Sequence, residues 1–84
     1  MNKNYRLKKY FVTITFYFEV YDYAFNVWAY NKIEAKQLVV NYLKYHKHYN
    51  ICDYTHIEVT SCPFTTIIDR LTKKVPDTPT CEQI

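Results

Sequence analysis

Glycine is missing altogether from this chain of 84 residues. Glycine-rich loops that cradle phosphate groups are therefore excluded, which argues against a nucleotide-binding motif. Turns that require a positive φ angle must be made by other residues, and Asp and Asn are the usual substitutes. We therefore expect the turns of this protein to depend on Asp or Asn.

Cysteine and long apolar runs are also scarce. The three cysteines, Cys52, Cys62 and Cys81, are odd in number and lack metal-finger spacing, so we expect free thiols in a reducing compartment. No run reaches the roughly 18 apolar residues that a membrane helix needs. The basic N-terminus "MNKNYRLKKY" is followed by alternating residues rather than a signal-peptide core. These features predict a soluble, cytoplasmic protein without membrane contact.

Aromatic residues are plentiful: ten Tyr, five Phe and one Trp. With 49% hydrophobic and 23% charged residues, the composition is globular, and the length suits one small domain. We expect a single α+β domain over residues 1–75. Two prolines and little apolar surface in "PDTPTCEQI" predict a flexible tail over residues 76–84. The net charge of +3 permits contact with nucleic acid or an acidic protein.

The stretch from Tyr10 to Tyr30 has the alternation of a β-hairpin. Even positions from Tyr10 to Val20 are apolar, which predicts a half-buried strand that continues to Tyr21. Asp22 interrupts the pattern, and a tight turn there would pair this strand with a second one. In the second strand Phe25, Val27 and Ala29 face the core.

Asn31 and Glu34 have the spacing of a helix capping box. The apolar residues behind them recur every three or four positions, which predicts an amphipathic helix. The core-facing stripe consists of Ala35, Leu38, Val39, Tyr42 and a partly buried His46. This helix is expected to reach about Tyr49 and to stop at Asn50. Lys36, Lys44 and Lys47 lie on the opposite arc, and we predict that they form a secondary electrostatic site for an acidic partner.

Residues 54–61 alternate again and predict a third strand. In "FTTIIDRLTKKV", a short helix capped by Thr65 or Thr66 competes with a fourth strand over residues 65–68. The predicted order is β-β-α-β(-α). A right-handed crossover makes the third strand run parallel to the second. We predict a two-layer α+β sandwich: a three-stranded sheet of order 2-1-3 with one long helix on one face.

Aromatic side chains on the other sheet face need a separate explanation. The residues concerned are Tyr17, Tyr21, Trp28 and Tyr30, with Asn26 beside them, and exposed aromatic patches often mark contact sites. Three explanations stay open: cover by the C-terminal segment, contact with a protein partner or a second copy of the chain, and base stacking on single-stranded nucleic acid. Protein contact is favoured, because the neighbours on this face are not the Lys and Arg that phosphates require.

Catalytic or metal chemistry finds little support in the sequence. "YHKHYNICDYTH" contains His46, His48, Cys52, Asp53 and His56, but His46 and His48 diverge on a helix, whereas zinc ligands must converge. Cys52 near His48 or His56 is a weak nucleophile candidate. We therefore predict a non-enzymatic binding protein without cofactor or metal.

The hairpin, the turn and the helix together carry a resemblance to a known class of proteins. Through Ala29, Asn31, Glu34 and Ala35, the first two-thirds of the chain resembles small accessory proteins of low-GC phages and mobile elements. The resemblance implies a protein that binds a host or defence factor, such as an anti-CRISPR inhibitor, in the host cytoplasm. It assigns no functional residues.

Overall fold

The computed structural model describes residues 6–18, 20–47 and 54–84. Four strands and two helices follow one another in the order β-β-α-β-α-β. They are β1 (Lys8–Phe16), β2 (Tyr23–Ala29), α1 (Lys32–His46), β3 (Tyr54–Ser61), α2 (Pro63–Leu71) and β4 (Thr80–Gln83). Neither helix in the described ranges is long and apolar enough to cross a membrane.

The strands form one antiparallel sheet in the order β3-β1-β2-β4. The α+β class is confirmed, and β1 lies between β2 and β3 as predicted. Because β2 and β3 are each antiparallel to β1, they run in the same direction. The prediction of three strands is wrong, since β4 extends the sheet beyond β2.

The fourth strand comes from the segment that we predicted to be a flexible tail. Val27 is paired with Cys81 and Phe25 with Gln83, and the Ile84 amide donates to the Ala24 carbonyl at 2.9 Å. The prediction for residues 76–84 is therefore wrong over 80–83. We predicted a tail because the segment contains two prolines. The strand pairs because β2 offers a free edge, and not because its own residues have a high β propensity.

The paired part of the hairpin is shorter than the alternating pattern predicts. β1 ends at Phe16 instead of Tyr21, and the Phe18 and Val20 side chains are 49% and 90% exposed instead of buried. Extending the register that pairs Ile14 with Tyr23 would place a two-residue turn at positions 18 and 19. Such turns require positive φ, which Phe and Glu do not adopt readily. A longer connection replaces the tight turn.

The start of α1 confirms the capping prediction. The Glu34 amide donates to Asn31 Oδ1 at 2.8 Å, while Glu34 Oε1 accepts from the Tyr30 amide at 2.8 Å. The first bond satisfies a backbone donor that the first turn leaves without a partner, whereas the second reaches the amide one residue before Asn31 rather than the Asn31 amide of a standard capping box. The helix ends at His46; the predicted stop at Asn50 lies outside the described residues.

One face of the sheet and α1 enclose the core. Its buried residues are Tyr10, Val12, Ile14, Phe16, Phe25, Val27, Ala29, Ala35, Val39 and Leu43. Each large apolar side chain buried here contributes about 1.5–3 kcal/mol. The prediction for His46 is wrong: the imidazole is exposed and stacks on Tyr42 with ring centroids 4.6 Å apart.

The segment after β3 forms a helix rather than the rival strand. Its N-cap is Cys62 and Pro63 begins the first turn, so the predicted caps Thr65 and Thr66 are wrong. Proline suits this position because its fixed φ is helical, and because the first N–H groups of a helix have no partner within the helix.

The C-terminal end of α2 is a Schellman motif, in which the Lys74 amide donates to the Asp69 carbonyl at 2.8 Å. Lys73 has a φ of 57°, the single positive value among the described residues. The position that requires a positive φ is therefore occupied by Lys rather than by the expected Asp or Asn.

Candidate interaction surface

The five residues predicted to bind a partner do not form one patch. Tyr17 and Tyr21 are 68% and 78% exposed in the connection between β1 and β2. Tyr30 and Asn26 are half-buried. Tyr30 follows the far end of β2, whose seven residues span about 23 Å. The two exposed tyrosines therefore lie far from Tyr30.

Trp28 lies on the predicted sheet face, but it is not exposed. Only 8% of the residue is accessible, so the expectation of an exposed indole is wrong. Its strand neighbours are Lys9 on β1 and Thr80 on β4, and the Lys9 ammonium lies 5.8 Å from the ring centroid. A cleft beside the indole is lined in part by Pro76. The C-terminal segment thus contributes to the cover of the indole.

The second helix turns its apolar side toward solvent. Phe64, Ile67, Ile68 and Leu71 are 80%, 53%, 57% and 78% exposed. Their spacing of three, four and seven residues places them along one side of α2. We call these four residues the α2 apolar surface. A stripe of this kind ordinarily packs on a core, so its exposure marks a candidate contact surface.

Polar contacts hold α2 in this orientation. Thr66 is buried, and its hydroxyl accepts from the Lys9 amide at 3.0 Å and donates to the Cys62 carbonyl at 2.8 Å. Asp69 pairs with the Lys9 ammonium at 3.6 Å. Arg70 donates to the Leu7 carbonyl at 3.0 Å. Three side chains on the opposite side of the helix from the apolar surface thus bind the beginning of β1.

Two basic clefts meet beside α2 at Arg70. The first has a volume of about 430 Å³, and its charged lining residues are Lys8, Lys9, Lys32 and Arg70. Ile67 also lines it and connects it with the α2 apolar surface. The second, of about 720 Å³, is lined by Arg6, Arg70, Lys73 and Asp77 among others. The α2 apolar surface therefore borders on a region of positive charge.

The lysines predicted as a secondary electrostatic site lie along α1, as expected, and away from the two clefts at Arg70. Lys36, Lys44 and Lys47 are exposed, and Lys44 approaches the Tyr45 ring at 5.6 Å. Lys36 and Lys47 are separated by about 16 Å along the helix axis. They do not line either cleft at Arg70. Their role in binding stays a prediction.

Reactive groups are sparse in the part of the chain that the structure describes. Burial raises the pKa of the Cys81 thiol from its ordinary 9.0 to about 11, which makes it a poor nucleophile at neutral pH. Burial, and to a lesser extent the charge of Glu34, also raise the pKa of Tyr10. Within these residues no group of three His, Cys, Asp or Glu could hold a metal ion. His48, Cys52 and Asp53 lie outside the described residues.

The sequence shows the apolar stripe of α2, but it does not show whether this stripe faces the sheet or the solvent. Cover by the C-terminal segment, one of the three explanations left open above, would require Ile67, Ile68 and Leu71 to pack inward on the aromatic face, as amphipathic helices usually do. The relevant signal is the opposite side, where Thr66, Asp69 and Arg70 can hydrogen-bond to a neighbouring strand. A single residue, Cys62, separates β3 from α2, which holds the helix at the end of the sheet.

Comparison with known proteins identifies no relative. No family model matches the chain, and no curated protein or solved structure is significantly similar to it.

Proposed function

We propose that this chain is a non-enzymatic binding protein that docks onto a protein partner through the α2 apolar surface. The observation that carries the proposal is the exposure of Phe64, Ile67, Ile68 and Leu71, each more than half accessible. In a chain with so small a core, four large apolar side chains left outside it represent a substantial loss of potential stability. A partner that covers them would recover that free energy.

The α2 apolar surface supplies part of the free energy that specific binding needs. Fully burying a large apolar side chain contributes about 1.5–3 kcal/mol, so four partly exposed ones contribute at most roughly 6–12 kcal/mol before costs. Association itself costs an estimated 4–15 kcal/mol. Additional contacts around the rim must therefore contribute to affinity, and the two clefts at Arg70 are adjacent.

A different protein is favoured over a second copy of this chain. Two copies of this chain would each carry a net charge of +3, and this like charge opposes their encounter. A different protein with carboxylates beside its apolar side chains would instead be attracted to the cations near α2, which include Lys8, Lys32 and Arg70. From the phage-protein resemblance we further propose that the partner is a host or defence factor that the chain inhibits by occupying its surface.

The nucleic-acid alternative has less support. Base stacking requires accessible aromatic rings, and the indole of Trp28 is 8% exposed. The apolar side chains near the basic clefts are mainly aliphatic. Tyr17 and Tyr21 are accessible, and we retain them as a predicted second contact.

Site-specific photo-crosslinking tests the proposal. A photoreactive phenylalanine analogue at position 64 should yield an adduct of one defined mass in cells that contain the partner. The same analogue in place of Tyr45, which is 69% exposed on α1, is the matched control and should yield none. Equal adducts at both positions, or adducts at position 45 alone, would reject α2 as the docking surface.

Surface variants separate binding from folding. Ile68→Gln combined with Leu71→Gln should abolish the position-64 adduct while the free energy of unfolding changes by less than about 0.5 kcal/mol per site. Val20→Gln, at a residue 90% exposed in the hairpin connection, should leave both properties unchanged. Persistence of the adduct in the double variant would contradict the proposed function.

A further inference from the structure

The charges beside α2 indicate what kind of partner surface fits there. Lys8, Lys9, Lys32 and Arg70 line the first cleft, and no acidic residue is among its described lining residues. Asp69 forms an ion pair with Lys9. Its carboxylate therefore neutralises the charge of Lys9 and not the charges of Lys8 and Lys32. Both of these lysines are exposed. The cleft is therefore a site for negative charge.

The apolar and basic regions form one continuous surface. Ile67 belongs to the α2 apolar surface and also lines the first cleft. Arg70 lies on the far side of α2 from Ile68 and connects the first cleft with the second, where Arg6 and Lys73 add two further cations against Asp77. A partner that covers α2 and extends past Ile67 therefore reaches the cations of the first cleft.

Resting on the function proposed above, we infer that the docking segment of the partner is an acidic amphipathic helix. Its apolar stripe packs on the α2 apolar surface, and its carboxylates lie against Lys8 and Lys32. The stripe from Phe64 to Leu71 is about 10 Å long, which matches about two turns of a facing helix. Amphipathic helices commonly bind apolar surfaces through residues at the same three- and four-residue spacing.

Charge and side-chain type together favour this occupant. A neutral apolar segment would leave the lysines desolvated without partners, which opposes binding. A nucleic acid would satisfy the cations, but its bases would have mostly aliphatic side chains to stack on. An acidic helix satisfies both regions at once. Carboxylates opposite the lysines would also accelerate encounter at low salt.

Three stapled peptides of 14 residues provide the probe, since short unstapled helices are marginal in water. Each has leucines at helical spacing on one side and, on the other, glutamates, glutamines or lysines. Titration of the ¹⁵N-labelled chain should show that the glutamate peptide binds at least about tenfold more tightly than the glutamine peptide. Amide shifts should concentrate at residues 64–71, Lys8 and Lys32. The advantage should decrease between 25 and 300 mM salt, because screening weakens exposed charge pairs.

Charge variants locate the contact. Lys8→Gln combined with Lys32→Gln should reduce the glutamate advantage to less than about threefold, without changing affinity for the glutamine peptide. The same exchange at Lys44 and Lys47 tests the rival electrostatic site that the sequence predicts on α1, and it should preserve the advantage if the carboxylates lie against Lys8 and Lys32. Loss of the advantage in the second variant instead would locate the acidic contact on α1 and overturn the inference.

The outcomes distinguish this inference from the proposed function. Equal affinity for the glutamate and glutamine peptides, or no binding of any peptide, would overturn the acidic helix, while the position-64 crosslink would still test docking at α2. Tighter binding of a 12-nucleotide oligothymidylate, weakened by the Lys8 and Lys32 changes, would replace the acidic helix with nucleic acid. A concentration-dependent dimer that excludes the glutamate peptide would replace it with a second copy of the chain.

Discussion

Arg70 donates a hydrogen bond from Nη2 to the backbone carbonyl of Leu7 at 3.0 Å, across 63 positions of sequence. This bond connects the last turn of α2 with the residue before β1. Leu7 is 7% exposed, and it lines the second cleft together with Arg70. The contact helps to explain why α2 directs its polar side inward and its apolar side toward solvent.

Replacing Arg70 by Met should destabilise the chain by about 1–2 kcal/mol. Met retains much of the aliphatic stem but removes the donor, and loss of a part-buried hydrogen bond from a charged group has a cost of this order. Urea unfolding followed by circular dichroism measures the change. Arg6→Met, at an exposed position nearby, is the control and should change the free energy of unfolding by less than about 0.5 kcal/mol. An equal effect in both variants would mean that the Leu7 contact is not the cause.

Trp28→Ala should cost about 3 kcal/mol of stability. The residue is 8% exposed, and truncating a large buried aromatic side chain removes its burial and leaves a cavity. Tyr21→Ala changes an aromatic residue that is 78% exposed and should cost less than about 0.5 kcal/mol. Chemical unfolding of both variants makes the comparison. If Trp28→Ala lowered the free energy of unfolding only slightly, the indole would be exposed, as the alternating pattern predicted.

Local patterns predicted the parts of the fold that local physics determines. Alternation located Val12 and Ile14 in the core, and the spacing of Asn31 and Glu34 located the start of α1, because both depend on near neighbours in sequence. Strand β4 could not be recognised in this way. Cys81 and Gln83 have little intrinsic β preference, and they pair because β2 offers a free edge, which is a property of the assembled sheet.

The candidate site depended even more on tertiary context. An apolar stripe predicts that one side of a helix differs from the other, but not which side meets the sheet. In α2 the bonds of Thr66 and Arg70 to the start of β1 decide this. Alternation likewise located Trp28 on the correct sheet face, but its cover comes partly from β4, a strand that the sequence did not indicate.

Lys73→Gly should raise the free energy of unfolding by about 0.5 kcal/mol. Lys73 has a φ of 57° in the Schellman motif, where a side chain costs roughly 1–2 kcal/mol. Glycine removes that cost but loses part of the gain through greater entropy of the unfolded chain. Lys74→Gly is the matched control, and it should lower stability because its φ is not positive. Thermal and urea unfolding give both values, and a stabilising Lys74→Gly would refute this explanation.

Stability should decrease at alkaline pH partly because of Cys81. Burial raises its pKa from 9.0 to about 11, so the folded chain favours the neutral thiol. The associated stabilisation is complete below pH 9 and is lost as the pH rises through 9 toward about 11. In Cys81→Ala the urea midpoint should therefore fall less between pH 7.5 and 10.5 than in the unmodified chain. Identical slopes would show that the thiol does not titrate differently on folding.

Removing residues 79–84 should destabilise the chain by about 1–2 kcal/mol and promote association. The half-buried Cys81 packs against the core, and partial loss of a small apolar side chain has a cost of this order. The edge of β2 would also become free to pair with other chains. Urea unfolding and sedimentation measure the two effects, and Glu82→Ala, at an exposed position, should show neither.

Hydrogen exchange examines the same strand in the intact chain. The Ile84 amide donates to the Ala24 carbonyl at 2.9 Å, so it should exchange at least about tenfold more slowly than in an unstructured peptide. Opening of a terminal strand is local and limits this protection, which is why the deeper amides of β1 should exchange far more slowly. Exchange of the Ile84 amide at the peptide rate would mean that β4 does not persist in solution and that residues 76–84 are a flexible tail after all.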